Sequence, residues 1–197
     1  HYPLRRQRQM CIRDSMHGDQ THGINDLRTF FINQKKPIDV YADLATSRYL
    51  KHSFSYCFQN YSKEYPAILK LNKINKELLI NNNNEKIRIK PIAVKHGRIN
   101  SICYIINSKL AYISDVSEVY LKDFKYFKNL KYLIIDCLWF NPHPSHFNLE
   151  KSLDFIKKVK PKKAILTNLS HVIDYKELKK LLPKNIIPAH DGLTLKL

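Results

Sequence analysis

Residues 15–28 read SMHGDQTHGINDLR, which sets two histidines, two aspartates, an asparagine and a glutamine around two of the chain's four glycines. Imidazole and carboxylate are the side chains that hold zinc and manganese. The same residue types recur further along, in His96-Gly97, in Asp115 of YISDVS, in Asp136 of YLIID, in HPSH (143–146) and in LTNLSH (166–171). Gly18, Gly23, Gly97 and Gly192 each directly follow His17, His22, His96 and Asp191. A chain this poor in glycine keeps it for positive φ or close backbone approach. The chemistry such a kit points to is the binding of a divalent ion. A divalent ion with an open coordination position lowers the pKa of its water enough to give a hydroxide at neutral pH.

The elements that must position these residues follow from hydrophobic spacing. Thr21 is expected to cap a helix running to about Asn33, and Pro37 to end that segment ahead of a buried strand, IDVYAD (38–43). A second helix is expected over 44–58. AILKLNKI (67–74) and KIRIKPIAV (86–94) alternate as half-buried strands around an NNNNE loop, with Pro91 marking an edge or a bulge. SICYIINS (101–108) and KLAYISD (109–115) form a hairpin turning at Asn107-Ser108, followed by a helix near 117–127. YLIID (132–136) and KAILTN (163–168) are buried strands separated by a helix over 148–159 that Pro161 stops. A helix over 174–182 and a strand, LTLKL (193–197), close the chain. Strands first, then alternating strands and helices, predict a mixed α/β layered domain in which the His and Asp residues gather at strand ends.

Composition narrows the class. A chain of 197 residues with 44% hydrophobic content suits one domain with a real core. It has no apolar run near eighteen residues and no signal-like h-region, so a cytoplasmic protein is expected. Cys11, Cys57, Cys103 and Cys137 form no CxxC pair and read as reduced thiols. The net charge of +17 invites a nucleic-acid partner, yet the lysines are scattered, with no basic stripe interleaved with aromatics. Residues 1–15 hold four arginines and no lysine, whereas residues 16–197 hold four arginines and twenty-six lysines. Residues 1–15 are therefore read as non-native and left out of the fold, and residues 16–197 as a partial domain whose natural start lies upstream.

Taken in order, these motifs resemble the metallo-β-lactamase superfamily, and within it the phosphonate-pathway cyclic phosphodiesterases. That branch opens its site with T-H-x-H-x-D-H-x-x-G, which lays its second histidine on His17, its aspartate on Asp19 and its glycine on Gly23. Its H-G turn matches His96-Gly97, its bridging aspartate Asp115, its H-P-x-H segment His143 to His146, and its L-T-H strand end Leu166-Thr167-Asn168. The resemblance implies an αββα sandwich, here lacking its N-terminal strands. It implies zinc or manganese as cofactor and a small or cyclic phosphodiester as substrate. His17, His96 and Asp115 would hold one metal, Asp19 would act as general base or orient the water, and His146 would contact the scissile phosphate or protonate the leaving group. Asp136 would orient one of these histidines.

The departures carry information as well. The family's first loop histidine falls on Ser15, at the end of the segment read as foreign, so histidine is expected there in the natural protein. Both histidines specific to the second metal are replaced, by Gln20 and Asn168, which are weaker oxygen ligands. One metal is therefore expected, with a second site open and His171 as a substitute ligand. Two other readings stand beside the phosphodiesterase. One is a transfer-RNA 3′-processing nuclease, which the charge favours but which would need a basic arm not found here. The other is a degenerate member that binds ligand or nucleic acid without turnover. No membrane partner is expected, and a homodimer is left open.

Overall fold

The computed structural model describes residues 10–13, 15–74, 76–82 and 85–197, which fall into two compact units, 1–86 and 87–197. Most of the segment read as non-native, residues 1–9 and 14, lies outside the described residues, as does part of the NNNNE loop. Met10–Arg13 is described and forms a strand, β1.

In the first unit, β1, β2 (Ile38–Ala42) and β3 (Leu69–Lys73) make a parallel sheet in that order, with Val40 opposite Cys11 on one side and Leu71 on the other. The loop of interest winds through α1 (Gly18–Thr21), a 3₁₀ turn over His22–Leu27 and α2 (Arg28–Gln34). Thr21 does not cap the helix as expected. It is buried and its hydroxyl donates back to the His17 carbonyl at 2.9 Å. The helix expected over 44–58 is two pieces, α3 (Leu44–Ser53) and α4 (Ser55–Phe58), broken at Phe54, whose φ of −128° is not helical. Asp43 caps α3 by accepting from the Thr46 amide at 2.7 Å. Ile24, Val40, Leu50 and Ile68 are fully buried at the centre of this unit's core. A short strand, β4 (Leu78–Asn82), was not anticipated.

The second unit is built on β5 (Glu85–His96), β6 (Ile99–Ile106), β7 (Leu110–Ile113), β8 (Tyr132–Asp136), β9 (Lys163–Thr167) and β10 (Ile186–Pro188), which lie side by side in the order β10-β9-β8-β7-β6-β5. The β5–β6 and β6–β7 pairs are antiparallel, and β8, β9 and β10 continue parallel to β7. Pro91 causes no break: it sits in continuous register opposite Tyr104. The hairpin turn falls where expected, with Asn107 and Ser108 at φ of 51° and 54°, the paired left-handed residues of a type I′ turn.

Two further expectations need correction. The helix placed near 117–127 is a 3₁₀ segment, Leu121–Phe127, because the Ser117 amide donates to the Lys95 carbonyl at 2.7 Å and holds the chain extended there. The closing strand is not 193–197 but β10, which reaches the open edge of β9 directly after the last helix, α6 (Tyr175–Leu181). Beyond Pro188 the chain turns at His190–Gly192 and leaves the sheet.

Helix α5 (Leu149–Val159) begins at Asn148, which caps it by accepting from the Lys151 amide at 3.1 Å. Phe155 and Ile156 pack from it onto a core of Phe127, Leu130, Leu133 and Ile135. Because β5, β7, β8 and β9 run the same way, their C-terminal ends share one edge of the sheet. His96, Asp115, Asp136 and Asn168 stand along that edge.

Candidate metal centre

Each residue at this edge is held by its own strand end. His96 closes β5, is 2% exposed, and lies with Nδ1 2.6 Å from the Ser145 carbonyl. A carbonyl only accepts, so Nδ1 carries the hydrogen and Nε2 the lone pair. The turn after it needs glycine: Gly97 has φ +60°, and a Cβ there would stand 2.9 Å from the Ser145 Cβ. The backbone of Ser145 is thereby brought close enough to fix the imidazole.

Asp136, wholly buried at the end of β8, gathers donors from three directions. Its Oδ2 accepts from the Val116 amide at 3.1 Å, the Phe147 amide at 3.3 Å and His146 Nδ1 at 2.9 Å. The carboxylate fixes the tautomer of His146, again leaving the lone pair on Nε2, and it orients the ring. His146 in turn stands 3.6 Å from Asp115 Oδ1, and its ring meets that of His96 edge-on with centroids 4.6 Å apart. His96, Asp115 and His146 each offer a ligand atom, and the three atoms lie within 4.8 Å of one another.

Asn168 completes the cluster from the end of β9. Its φ is +60°, a conformation asparagine tolerates better than most residues. Its Nδ2 lies 3.2 Å from Asp136 Oδ1, 3.3 Å from the Ser114 carbonyl and 3.5 Å from Asp115 Oδ1. Three oxygens around it require the amide nitrogen, rather than the amide oxygen, to face inward. Asn168 therefore acts here as a hydrogen-bond donor to carboxylates.

The structure thus brings together His96, Asp115, His146 and Asn168, and adds Asp136 behind His146. His171 is exposed and lies outside the cluster of three ligand groups. His17, Asp19 and Gln20 belong to the first unit. His17 and Asp19 are exposed there, Gln20 Nε2 donates to Asp19 Oδ2 at 3.3 Å, and buried Ser15 accepts from the His17 amide at 3.4 Å. The Ser145 carbonyl was missed in the sequence because a backbone acceptor leaves no trace in residue type. Gly97 was the signal that could have found it.

The profile of the Beta-lactamase superfamily domain matches residues 12–168. The chain belongs to this family. Among solved structures, this beta-lactamase superfamily member is similar to a diphosphatase of the PhnP family, at 28% identity and TM-score 0.81, over 94% of this chain and 70% of that one. It shares its fold with the short form of human tRNase Z, at 16% identity and TM-score 0.66, over 94% of this chain and 77% of that one. A curated relative is an octanoyltransferase of Porphyromonas gingivalis, 26% identical over 179 residues, which are 90% of this chain and 35% of that protein. The chain therefore spans about a third of the length of the curated relative it matches. The fold is the mixed α/β metallo-β-lactamase fold, whose members are metallo-hydrolases that bind divalent metals. Among the described residues, no helix is long and apolar enough to cross a membrane.

The donor set fits such an ion. Two imidazoles with Nδ1 occupied by an acceptor, and one carboxylate, are the neutral-nitrogen and charged-oxygen ligands that a zinc- or manganese-type ion takes.

Proposed function

We propose that this chain is a metal-dependent hydrolase of phosphodiester bonds in small or cyclic substrates. The observation that carries the reading is the convergence of His96, Asp115 and His146, whose ligand atoms lie within 4.8 Å of one another, with each imidazole holding its hydrogen on Nδ1 and its lone pair on Nε2. These three residues would hold the ion. When bound, a divalent ion supplies positive charge at the scissile phosphate and an acidified water. Ser145 and Asp136 keep the two rings from rotating, so ligand geometry is set before substrate arrives. Asp136 also makes His146 a stronger donor through Nε2, and with Nε2 given to the ion this reading makes His146 a ligand in place of the phosphate-contacting or proton-donating role that the family motif implies. His17 and Asp19 enter the reading through the family motif. By the same motif, Gln20 and Asn168 leave one strong metal site per chain.

A transfer-RNA-type substrate is the second reading, supported by the net charge of +17. The deciding experiment measures metal content by elemental analysis, followed by turnover of bis-p-nitrophenyl phosphate beside a transfer-RNA precursor. We expect one equivalent of metal and turnover of the small diester that His96→Ala abolishes. Less than a tenth of an equivalent after growth and dialysis in zinc or manganese would overturn the enzyme reading and favour a binding-only member.

A further inference from the structure

The edge of the sheet opposite the His/Asp cluster has a different chemistry. It is formed by the starts of β7, β8, β9 and β10 and by the chain that leads into them. Those approaches are residues 107–109, 125–131, 157–163 and 179–184, which contain one, three, five and three lysines and no aspartate or glutamate. Neighbouring backbones tie them together: the Lys131 amide donates to the Lys109 carbonyl at 2.7 Å, and the Lys163 amide to the Lys131 carbonyl at 3.1 Å. Strands lie about 4.8 Å apart, so the four starts span roughly 15 Å of continuous basic rim. All of these lysines are exposed except Lys131 and Lys163, which are half-buried.

Complementing the helix dipole accounts for part of this, since Lys157 and Lys158 close α5 and Lys179 and Lys180 close α6. It does not account for lysines beyond the helix ends, such as Lys128, Lys131, Lys160, Lys162 and Lys184. Holding them together costs mutual repulsion, which aromatic faces partly offset. Lys90 and Lys125 lie 4.1 and 5.1 Å from the Tyr126 ring centre, and Lys131 lies 5.4 Å from that of Tyr132.

We propose that this rim is a nucleic-acid-binding surface that holds a phosphate backbone without reading its sequence. A line of cations meets a polyanion that carries a charge at each nucleotide, about 3.4 Å apart along one strand, so the rim matches a run of roughly four nucleotides. Lysine heads are point charges suited to phosphates, and the four segments hold no arginine for bidentate contact with guanine. An anionic lipid surface is the less favoured partner. Leu181 is the exposed large apolar side chain in these segments, and Phe127, Leu130 and Val159 are buried or half-buried, which leaves little to insert into a bilayer.

The test is fluorescence anisotropy of the full chain with a labelled 20-nucleotide single-stranded RNA, its DNA equivalent, and vesicles of phosphatidylserine and phosphatidylcholine, over a salt series. We expect salt-dependent binding to both nucleic acids and weaker binding to vesicles. The quadruple variant Lys128→Gln, Lys160→Gln, Lys162→Gln, Lys184→Gln should weaken nucleic-acid binding at least tenfold and lower the log–log salt slope by about 3, at roughly 0.7 per contact. A control that removes four exposed lysines of the first unit, Lys36, Lys51, Lys63 and Lys70, should leave affinity within threefold. Neither set touches the His/Asp cluster, so hydrolysis of a small diester stays unchanged in both. Absent binding, equal loss in the control, or preference for the vesicles would overturn the proposal, whatever the outcome for catalysis.

Discussion

Gly97→Ala tests the claim that a backbone turn sets the metal ligand. The substitution meets two separable penalties. An alanine at φ +60° pays the left-handed cost of about 1–2 kcal/mol. Its Cβ would also stand 2.9 Å from the Ser145 Cβ, and relieving an overpacked contact of this kind costs about 1–3 kcal/mol. The expected loss of unfolding free energy is therefore about 2–5 kcal/mol, read by urea denaturation. Moving Ser145 also disturbs the carbonyl that holds His96 Nδ1 at 2.6 Å, and losing such an outer partner lowers metal affinity about 10–100-fold. Competition titration with a chromophoric chelator reads that second effect. Ser145→Gly removes the clashing Cβ and leaves the φ penalty, because the next nearest atom, the Ser145 Cα, is at an ordinary 3.5 Å. Measured against Ser145→Gly alone, the double variant should regain the clash part of the stability and most of the metal affinity. If Gly97→Ala binds metal like the parent, or if the double variant recovers nothing, the coupling from glycine through Ser145 to His96 is wrong.

Asp136→Ala leaves the Val116 and Phe147 amides buried without their acceptor, and at about 1–3 kcal/mol each this should cost roughly 2–6 kcal/mol in urea denaturation; a loss under 1 kcal/mol would contradict the assigned hydrogen bonds. Cys137 is held at a pKa of about 12 by burial, with the Asp136 charge adding to it, against an ordinary 9.0. The native thiol should therefore resist iodoacetamide at pH 9 while the urea-unfolded chain reacts. Because the unfolded thiol releases its proton first, this group's stabilisation is complete below pH 9 and is lost as pH rises towards 12, which denaturation curves across that range will show. Ser108→Gly relieves a left-handed residue in the β6–β7 turn and should raise stability by about 1 kcal/mol, seen as a higher urea midpoint.

Much of the sheet was legible because its strands are short apolar runs bounded by turn residues. Asn107-Ser108 announced a turn by residue type, and the spacing of Leu149, Leu153, Ile156 and Val159 announced a helix. The end of the chain was not. LTLKL alternates like a strand, but an alternating pattern needs a free edge, and Ile186–Pro188 reaches the edge of β9 first. The cluster was visible as residue types at strand ends, and Asp136 was read as orienting one of its histidines, but only the structure shows that the histidine is His146. The lysines show the same limit more plainly. Read along the chain they look scattered, because each connection contributes its own few. Only parallel strands that start at one edge, with helices returning to it, collect them into a line.

The inward-facing amide of Asn168 has a consequence for charge balance. Asp115 and Asp136 are two carboxylates, 3% and 0% exposed, and Asn168 offers them dipoles but no charge. Burying unpaired charge is costly, so the pair needs positive charge from elsewhere. One dication brings two carboxylates and two neutral imidazoles to electroneutrality, and a second would overshoot it. Metal bound here would then be a counterion of the folded core as well as a participant in the proposed hydrolysis. Chelation should be felt as a lower melting temperature of the domain, not merely as lost turnover.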